Sequence, residues 1–403
     1  MKILQVNCVY NTGSTGKIVY DVHTELLKKG YESVVCYGRL GKTNDKNVYK
    51  TCSEWYSKLN NLLSRFTGVM YGGCFSSTNK LISIIKKEKP DVVHVHCING
   101  YFVNIYRIIT WLKKNKIKTV LTLHAEFMHT ANCGYAYECE KYKTGCGKCP
   151  QLKKETKSFV LDNTALSWKK MRKAFNGFNE NLIITSVSPW LMQRGKGSTI
   201  LGDKNHKVVM NGLDSEIFNP KLQNTIKDNL NIKDKKMVLY VTPSFSVEPE
   251  HVKGGWYVLE VAKHMPNTMF VIVGCKEEIQ NLPQNVINVG RVENQQKLAE
   301  YYSAADVTLL TSRRETFSMV TAESLCCGTP VVGFKAGGPE TIAIDEYCDF
   351  VEHGDIDGLE EALKKCLETT KDNSISQKAI NKYDRKNMCE RYISVYKEVI
   401  GIK

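Results

Sequence analysis

The stretch that decides the fold is RETFSMVTAESLCCGTPVV, residues 314–332. The Ser318 hydroxyl can accept a first-turn amide, so a helix is expected from about Met319. Gly328 can close it in the left-handed conformation, and Pro330 bars its continuation. An apolar run at 306–310 precedes the helix and PVVG (330–333) follows it. Strand, helix and strand in that order make a βαβ unit of a parallel sheet. Glu315 then sits on a loop at the sheet edge, and Glu323 about one turn inside the helix. Amides near Phe317, Ser318 and Met319 have no partner four residues back, and the positive helix end suits an anion. Two carboxylates flank a ready phosphate site.

The same alternation extends in both directions. Strands are expected at 237–241, 269–273, 286–289, 306–310 and 330–333, with helices at 255–264, 294–304, 319–327 and 357–369. Earlier, strands are expected at 2–7, 32–37, 91–96, 117–123 and 182–187. Amphipathic segments lie between several of them, such as 17–29, closed by Gly30. The reading is an α/β chain of two doubly wound domains, 1–205 and 206–380, with 381–403 a C-terminal helix crossing back to the first.

Bulk properties narrow the class. No apolar run approaches the ~20 residues that a spanning helix needs. MKILQVNCVYN lacks a signal-peptide pattern and reads as a first strand, so a cytosolic protein is expected. Its 15 cysteines are then thiols or metal ligands rather than disulfides. Residues 1–205 hold 32 Lys+Arg against 14 Asp+Glu, a net of +18, and the remainder 24 against 28, a net of −4. Basic residues recur beside apolar ones in LISIIKKEKP, WLKKNKIK and SWKKMRKAF. That pattern suits an anionic membrane surface; a solvated lysine-rich face is the alternative. No nucleic-acid-binding module accompanies the charge, so nucleic acid is not an expected partner.

Glu315 and Glu323 form a Glu-x7-Glu pair that resembles the signature of retaining glycosyltransferases of family 4, which have the two-domain GT-B fold. AESLCCGTPVVGFKAGGPETI, VVMNGLDSEIFNP (208–220), YYSAADVTLLTSRRETF and PDVVHVH are similar to runs of that family, its capsular and exopolysaccharide (colanic-acid-type) members included. The resemblance implies two Rossmann-like domains facing across a cleft, an acceptor-side domain first and a nucleotide-sugar domain second. It implies catalytic roles for Glu315, near the anomeric centre of the donor sugar, and for His124, which ends TVLTLH and would contact the transferred sugar. Donor-binding roles fall to Gly16, Lys253, Phe317, Ser318, Met319 and Glu323, the last on the ribose hydroxyls. Glu126 is a weaker candidate for an acceptor contact. The family's arginine after the first strand of the second domain is missing from VTPSFSVEPEHVKGG; Arg291 and Arg314 are candidate replacements.

The implied reaction moves a sugar, with retention, from a nucleoside-diphosphate donor to a glycan or polyprenyl-diphosphate-linked acceptor. UDP-sugars are favoured and GDP-sugars are the second choice. The expected setting is cell-surface polysaccharide assembly on the inner face of the plasma membrane, without a catalytic cofactor. A sugar-nucleotide epimerase of the same fold and a non-catalytic partner subunit are the rival readings.

Four further motifs need weighing. NTGSTGKIV (11–19) looks like a phosphate loop but is too short for one, and Ile18 stands where the metal-binding hydroxyl belongs. Its glycines match the family's first strand–helix loop, with Gly16 the closest to donor phosphate. Cys133, Cys139, Cys146 and Cys149, spaced x5, x6 and x2, lie in an insertion at about 125–152 and suit a structural zinc site, with redox disulfides or unligated thiols as alternatives. DID (355–357) mimics a metal motif, but Asp357 with Glu360 reads as a capping box. His94 and His96 share a strand face and fit a buried strand end better than a metal site.

Overall fold

The computed structural model describes residues 1–221, 225–276, 278–372 and 374–402. The chain forms two compact units: Met1–Val209 with Cys389–Lys403, and Met210–Met388.

The first unit is built on seven strands: β1 (Lys2–Asn7), β2 (Glu32–Tyr37), β3 (Val48–Lys50), β4 (Val92–Val95), β5 (Thr119–Leu123), β6 (Leu182–Ser186) and β7 (Asn205–Val208). All pair in parallel, in the order β3-β2-β1-β4-β5-β6-β7. The inner strands are buried along nearly their whole length because helices cover both faces, as in β5, TVLTL, buried throughout. The helix after β1 runs Gly13–Lys28, so the glycine turn expected ahead of a helix at 17 is its first turn. Gly16 is there for close approach. A Cβ on it would stand 3.0 Å from Val9 Cγ2 and 3.3 Å from the Asn11 amide nitrogen. The unit is completed, from Cys389 onward, by the last helix, Arg385–Ile400, whose Tyr392 and Tyr396 are fully buried.

The second unit holds β8 (Met237–Val241), β9 (Met269–Val273), β10 (Val286–Asn288), β11 (Val307–Leu310), β12 (Val331–Phe334) and β13 (Cys348–Val351). They are parallel in the order β10-β9-β8-β11-β12-β13. Val238, Tyr240, Phe270, Ile272, Leu309 and Phe334 pack against Val258 and Ala262 of the helix Gly255–His264 and Leu359 and Leu363 of the helix Ile356–Glu368. The latter helix begins earlier than the Asp357 capping box requires. Asp355 is the cap and accepts the Gly358 amide at 3.0 Å, while Glu360 pairs instead with His264 and Lys364.

Candidate functional site

In the second unit the strand order reverses between β8 and β11. Loops leaving those two neighbours diverge and open a crevice at the C-terminal edge of the sheet. The β8 loop ends at Lys253 and Gly254, and the β11 loop carries Glu315. The two meet: Lys253 Nζ donates to Glu315 Oε1 at 2.6 Å, the side chains being 26% and 15% exposed. A pair this sheltered holds both groups at the crevice more firmly than a surface ion pair would.

Each partner is fixed by its own backbone. Lys253 O accepts from the Tyr240 hydroxyl at 2.5 Å and from Thr311 Oγ1 at 3.2 Å. Gly254 takes φ +70°, and a Cβ there would lie 2.1 Å from Thr311 O, so only glycine fits. Glu315 is bonded on both sides of its peptide, by its amide to Ala336 O at 3.0 Å and by its carbonyl to the Gly338 amide at 2.8 Å. Gly338 is the close approach that permits this, for a Cβ would meet the Phe317 amide nitrogen at 2.6 Å. Glu340 clamps the same turn, its carboxylate accepting the Ala336 and Gly337 amides at 3.0 and 2.8 Å.

The helix Met319–Cys326 starts as expected, with Ser318 Oγ accepting the Thr321 amide at 3.2 Å. Ser318 is thus committed to its own helix, and the Phe317 side chain is buried against Tyr383. What these residues offer a ligand is backbone amide and helix dipole. Glu323, one turn in, accepts the Tyr302 hydroxyl at 2.9 Å. At the same strand edge a cavity of about 410 Å³ is lined by Thr242, Gly274, Lys276 and Arg291, among others. Arg291 therefore reaches the edge where the missing arginine was expected to act. A cavity of about 540 Å³ also opens beside Val331, Cys348 and Lys371, but Val331 and Cys348 begin β12 and β13. That is the edge parallel sheets do not use for ligands.

In the first unit His124 follows β5 directly and is buried. His96 Nδ1 lies 3.2 Å from His124 Nε2, and His96 Nε2 lies 3.2 Å from Gln5 Oε1. His94 contacts the Tyr396 hydroxyl and Thr122 Oγ1, each at 2.7 Å. Both nitrogens of His94 and of His96 have protein partners, which settles these two as a buried strand end. Burial pushes His124 down to about 4 and holds His94 and His96 well below the ordinary histidine range. All three are neutral at pH 7. Below pH 6.5 the unfolded chain gains protons that these folded histidines refuse, so stability must fall with acidification. His124 alone should cost up to about 3 kcal/mol between pH 6.5 and 4. Denaturant titrations across that range check this; a flat profile would refute it.

Glu126 is fully buried and cannot serve as an acceptor contact. Its Oε1 pairs with Arg194 at 2.8 Å and its Oε2 accepts the Ala136 amide at 2.8 Å. Burial alone would raise its carboxyl, but His129, Arg194 and the amide outweigh that and hold it below the usual range. The insertion it anchors gathers Cys133, Cys139, Cys146 and Cys149 around one small cavity, all as free thiols. Among the described residues, no three of His, Cys, Asp or Glu stand as a metal-holding group. The cysteines are thus brought together around the cavity without forming a preset metal-holding group.

Comparison with known proteins decides the class. The family described as Glycosyl transferases group 1 matches residues 223–387, which include Lys253, Glu315 and Glu323. Glycosyltransferase Family 4 matches residues 15–152, which include Gly16, His124 and the four cysteines. The chain is a glycosyltransferase, its two halves matching these two families. The enzyme has the GT-B fold. It is 22% identical to "Putative colanic acid biosynthesis glycosyl transferase WcaC" of Escherichia coli, over 99% of this chain and 100% of the relative. It is 21% identical to the N-acetyl-alpha-D-glucosaminyl L-malate synthase of Bacillus anthracis, over 98% and 95%. In structure it resembles Anabaena Alr3699/HepE in complex with UDP, with a TM-score of 0.65 and 15% identity, covering 99% of this chain and 100% of that one.

The candidate site of the glycosyltransferase includes residues that its sequence did not single out. Tyr302 orients Glu323, Glu340 clamps the turn behind Glu315, and Gly338 lets that turn close. GGPE was the available signal: paired glycines ahead of a helix-starting Pro-Glu announce a tight turn with a carboxylate to cap it.

Proposed function

We propose that this glycosyltransferase moves a sugar from a UDP-sugar, with retention, onto a lipid-linked glycan acceptor during surface-polysaccharide assembly. The observation that carries the reading is the Lys253–Glu315 pair at the reversal of strand order. As the glycosidic bond breaks, negative charge builds on the departing diphosphate, and Lys253 with the first amides of the Met319–Cys326 helix is the positive charge available to meet it. Glu315 then faces the anomeric carbon and Glu323 the ribose. His124, being neutral, serves the transferred sugar as a hydrogen-bonding group rather than a cation. Gly16 is assigned to the donor phosphate. UDP is favoured because structures similar in fold were solved with UDP and with UDP-glucose. A polysaccharide product is favoured by the colanic acid relative.

Thermal shift tests the donor. UDP at one hundred times its Kd should stabilise the protein by about 2.7 kcal/mol, a rise of several degrees in Tm, with GDP giving less. Glu323→Ala should weaken UDP by about ten-fold, the loss of a bidentate contact to two hydroxyls. No shift with any nucleoside diphosphate would remove the reading.

Structural zinc remains our proposal for Cys133, Cys139, Cys146 and Cys149, supported by their convergence on one cavity. Gly145 and Gly147, at φ +151° and +134°, flank Cys146 and give the loop room to draw the sulfurs together. Zinc would displace the thiol protons that burial now holds on, Cys146 being pushed up to about 11. Protein purified without chelator should carry one zinc per chain, lost in Cys146→Ser; a chain free of zinc would count against it.

A further inference from the structure

One helix of the first unit turns its apolar side outward. In Glu54–Thr67, the residues Trp55, Leu59, Leu62 and Phe66 recur at helical spacing and, with Leu63, make one stripe. The residues this helix buries are Ser57, Asn60 and Ser64. Ser57 donates to Gly100 O at 3.0 Å, Asn60 accepts the Cys74 amide at 2.8 Å, and Ser64 donates to Val69 O at 2.9 Å. The polar side thus ties down neighbouring loops and the apolar side is left to solvent, with Trp55 72% and Phe66 59% exposed.

A second segment continues the patch. Phe159, Val160 and Leu161 are exposed, Val160 at 79%. The rings of Phe66 and Phe159 meet edge to face with centroids 5.0 Å apart. The Phe159 amide donates to Arg65 O at 3.0 Å, and Asn163 Nδ2 to Thr67 O at 2.8 Å. Contiguous apolar surface of this kind marks an interaction site.

The surrounding charge names the occupant. Lys58 of the helix and Lys153, Lys154 and Lys157 just ahead of the loop are exposed, as are Lys169 and Lys170 on the helix Thr164–Phe175 that follows it. The acidic groups among them are engaged: Glu155 accepts the Tyr135 amide, and Asp162 accepts the Cys149 amide and the Thr164 hydroxyl. Among the described residues no helix is long and apolar enough to cross a membrane. We infer that the helix Glu54–Thr67 and the loop 159–161 dock on an anionic bilayer, the apolar stripe entering the acyl boundary and the lysines meeting headgroup phosphates. The inference rests on the reading above for its purpose, bringing the enzyme to a membrane-borne acceptor.

Flotation with vesicles tests it, comparing the enzyme with Trp55→Ser/Leu63→Ser/Phe66→Ser and with Lys154→Glu/Lys157→Glu. All five side chains are exposed, so both variants should melt as the parent does. The parent should float with phosphatidylglycerol–phosphatidylcholine vesicles and not with phosphatidylcholine alone, and each variant should lose binding by about ten-fold or more. Equal flotation of parent and variants would overturn the inference. So would a parent that stays with the buffer, whether it elutes as a dimer dissolved by the apolar variant or as a monomer. UDP thermal shift on the same samples separates the two readings: flotation that follows the patch without a UDP shift would leave the docking surface standing and remove the donor.

Discussion

Glu315→Ala is expected to lower the rate of sugar transfer by about 10²–10³-fold while UDP affinity stays within a few-fold. The residue reaches the crevice by its side chain alone; its amide and carbonyl are bonded to Ala336 and Gly338, and those bonds survive truncation. The loop therefore stays in place, and the change is the loss of one fixed carboxylate, with Lys253 left without its 2.6 Å partner. A group that acts on charge developing at the reacting centre contributes to the transition state more than to the bound donor, so kcat carries the loss. Lys253→Ala should behave differently. It removes the cation assigned to the diphosphate, so both UDP affinity and kcat should fall. Transfer and donor hydrolysis measured for the two variants and the double variant check this. Undiminished turnover in Glu315→Ala would sink the proposed site.

Glu126→Ala should destabilise the first unit by about 3–5 kcal/mol, because it leaves Arg194 without its carboxylate partner and the Ala136 amide unmet. The pH dependence has a definite sign. The folded carboxyl lies below its ordinary value, so its stabilisation is present above pH 4.5 and drains away as pH falls through the folded pKa. The variant should lack that acid-dependent component. Urea melts of both proteins at pH 7 and pH 4 measure it; a difference that does not narrow at low pH would contradict the assignment.

The interior of both sheets was legible in the sequence for a plain reason. β1, β5, β9 and β11 are covered on both faces and read as short runs dominated by apolar residues, unbroken in β9. The edge strands β3, β7 and β13 escaped because each is only three or four residues long, partly exposed and interrupted by a polar or charged residue, as in NHKV. At the site, residue types were readable but their contacts were not. Nothing in the chain announces that Lys253 and Glu315, 62 positions apart, share a hydrogen bond, since the reversal of strand order that joins them is a property of the whole sheet. Glu126 was misjudged because a carboxylate beside a candidate histidine resembles a ligand contact, and only burial shows otherwise. The helix Glu54–Thr67 makes the same point from another side. Periodicity reveals a stripe, but not whether that stripe looks in or out.

The last helix has a consequence for biosynthesis. Tyr396 bonds His94 in the middle of the first unit's sheet, and Tyr392 packs against His94 and His96. The unit that leaves the ribosome first therefore waits for residues made some three hundred positions later, after the whole second unit has emerged. Until then a row of strand histidines lacks its cover. A nascent chain stalled, clipped or fused within the final helix would hold a finished second unit and an unfinished first one.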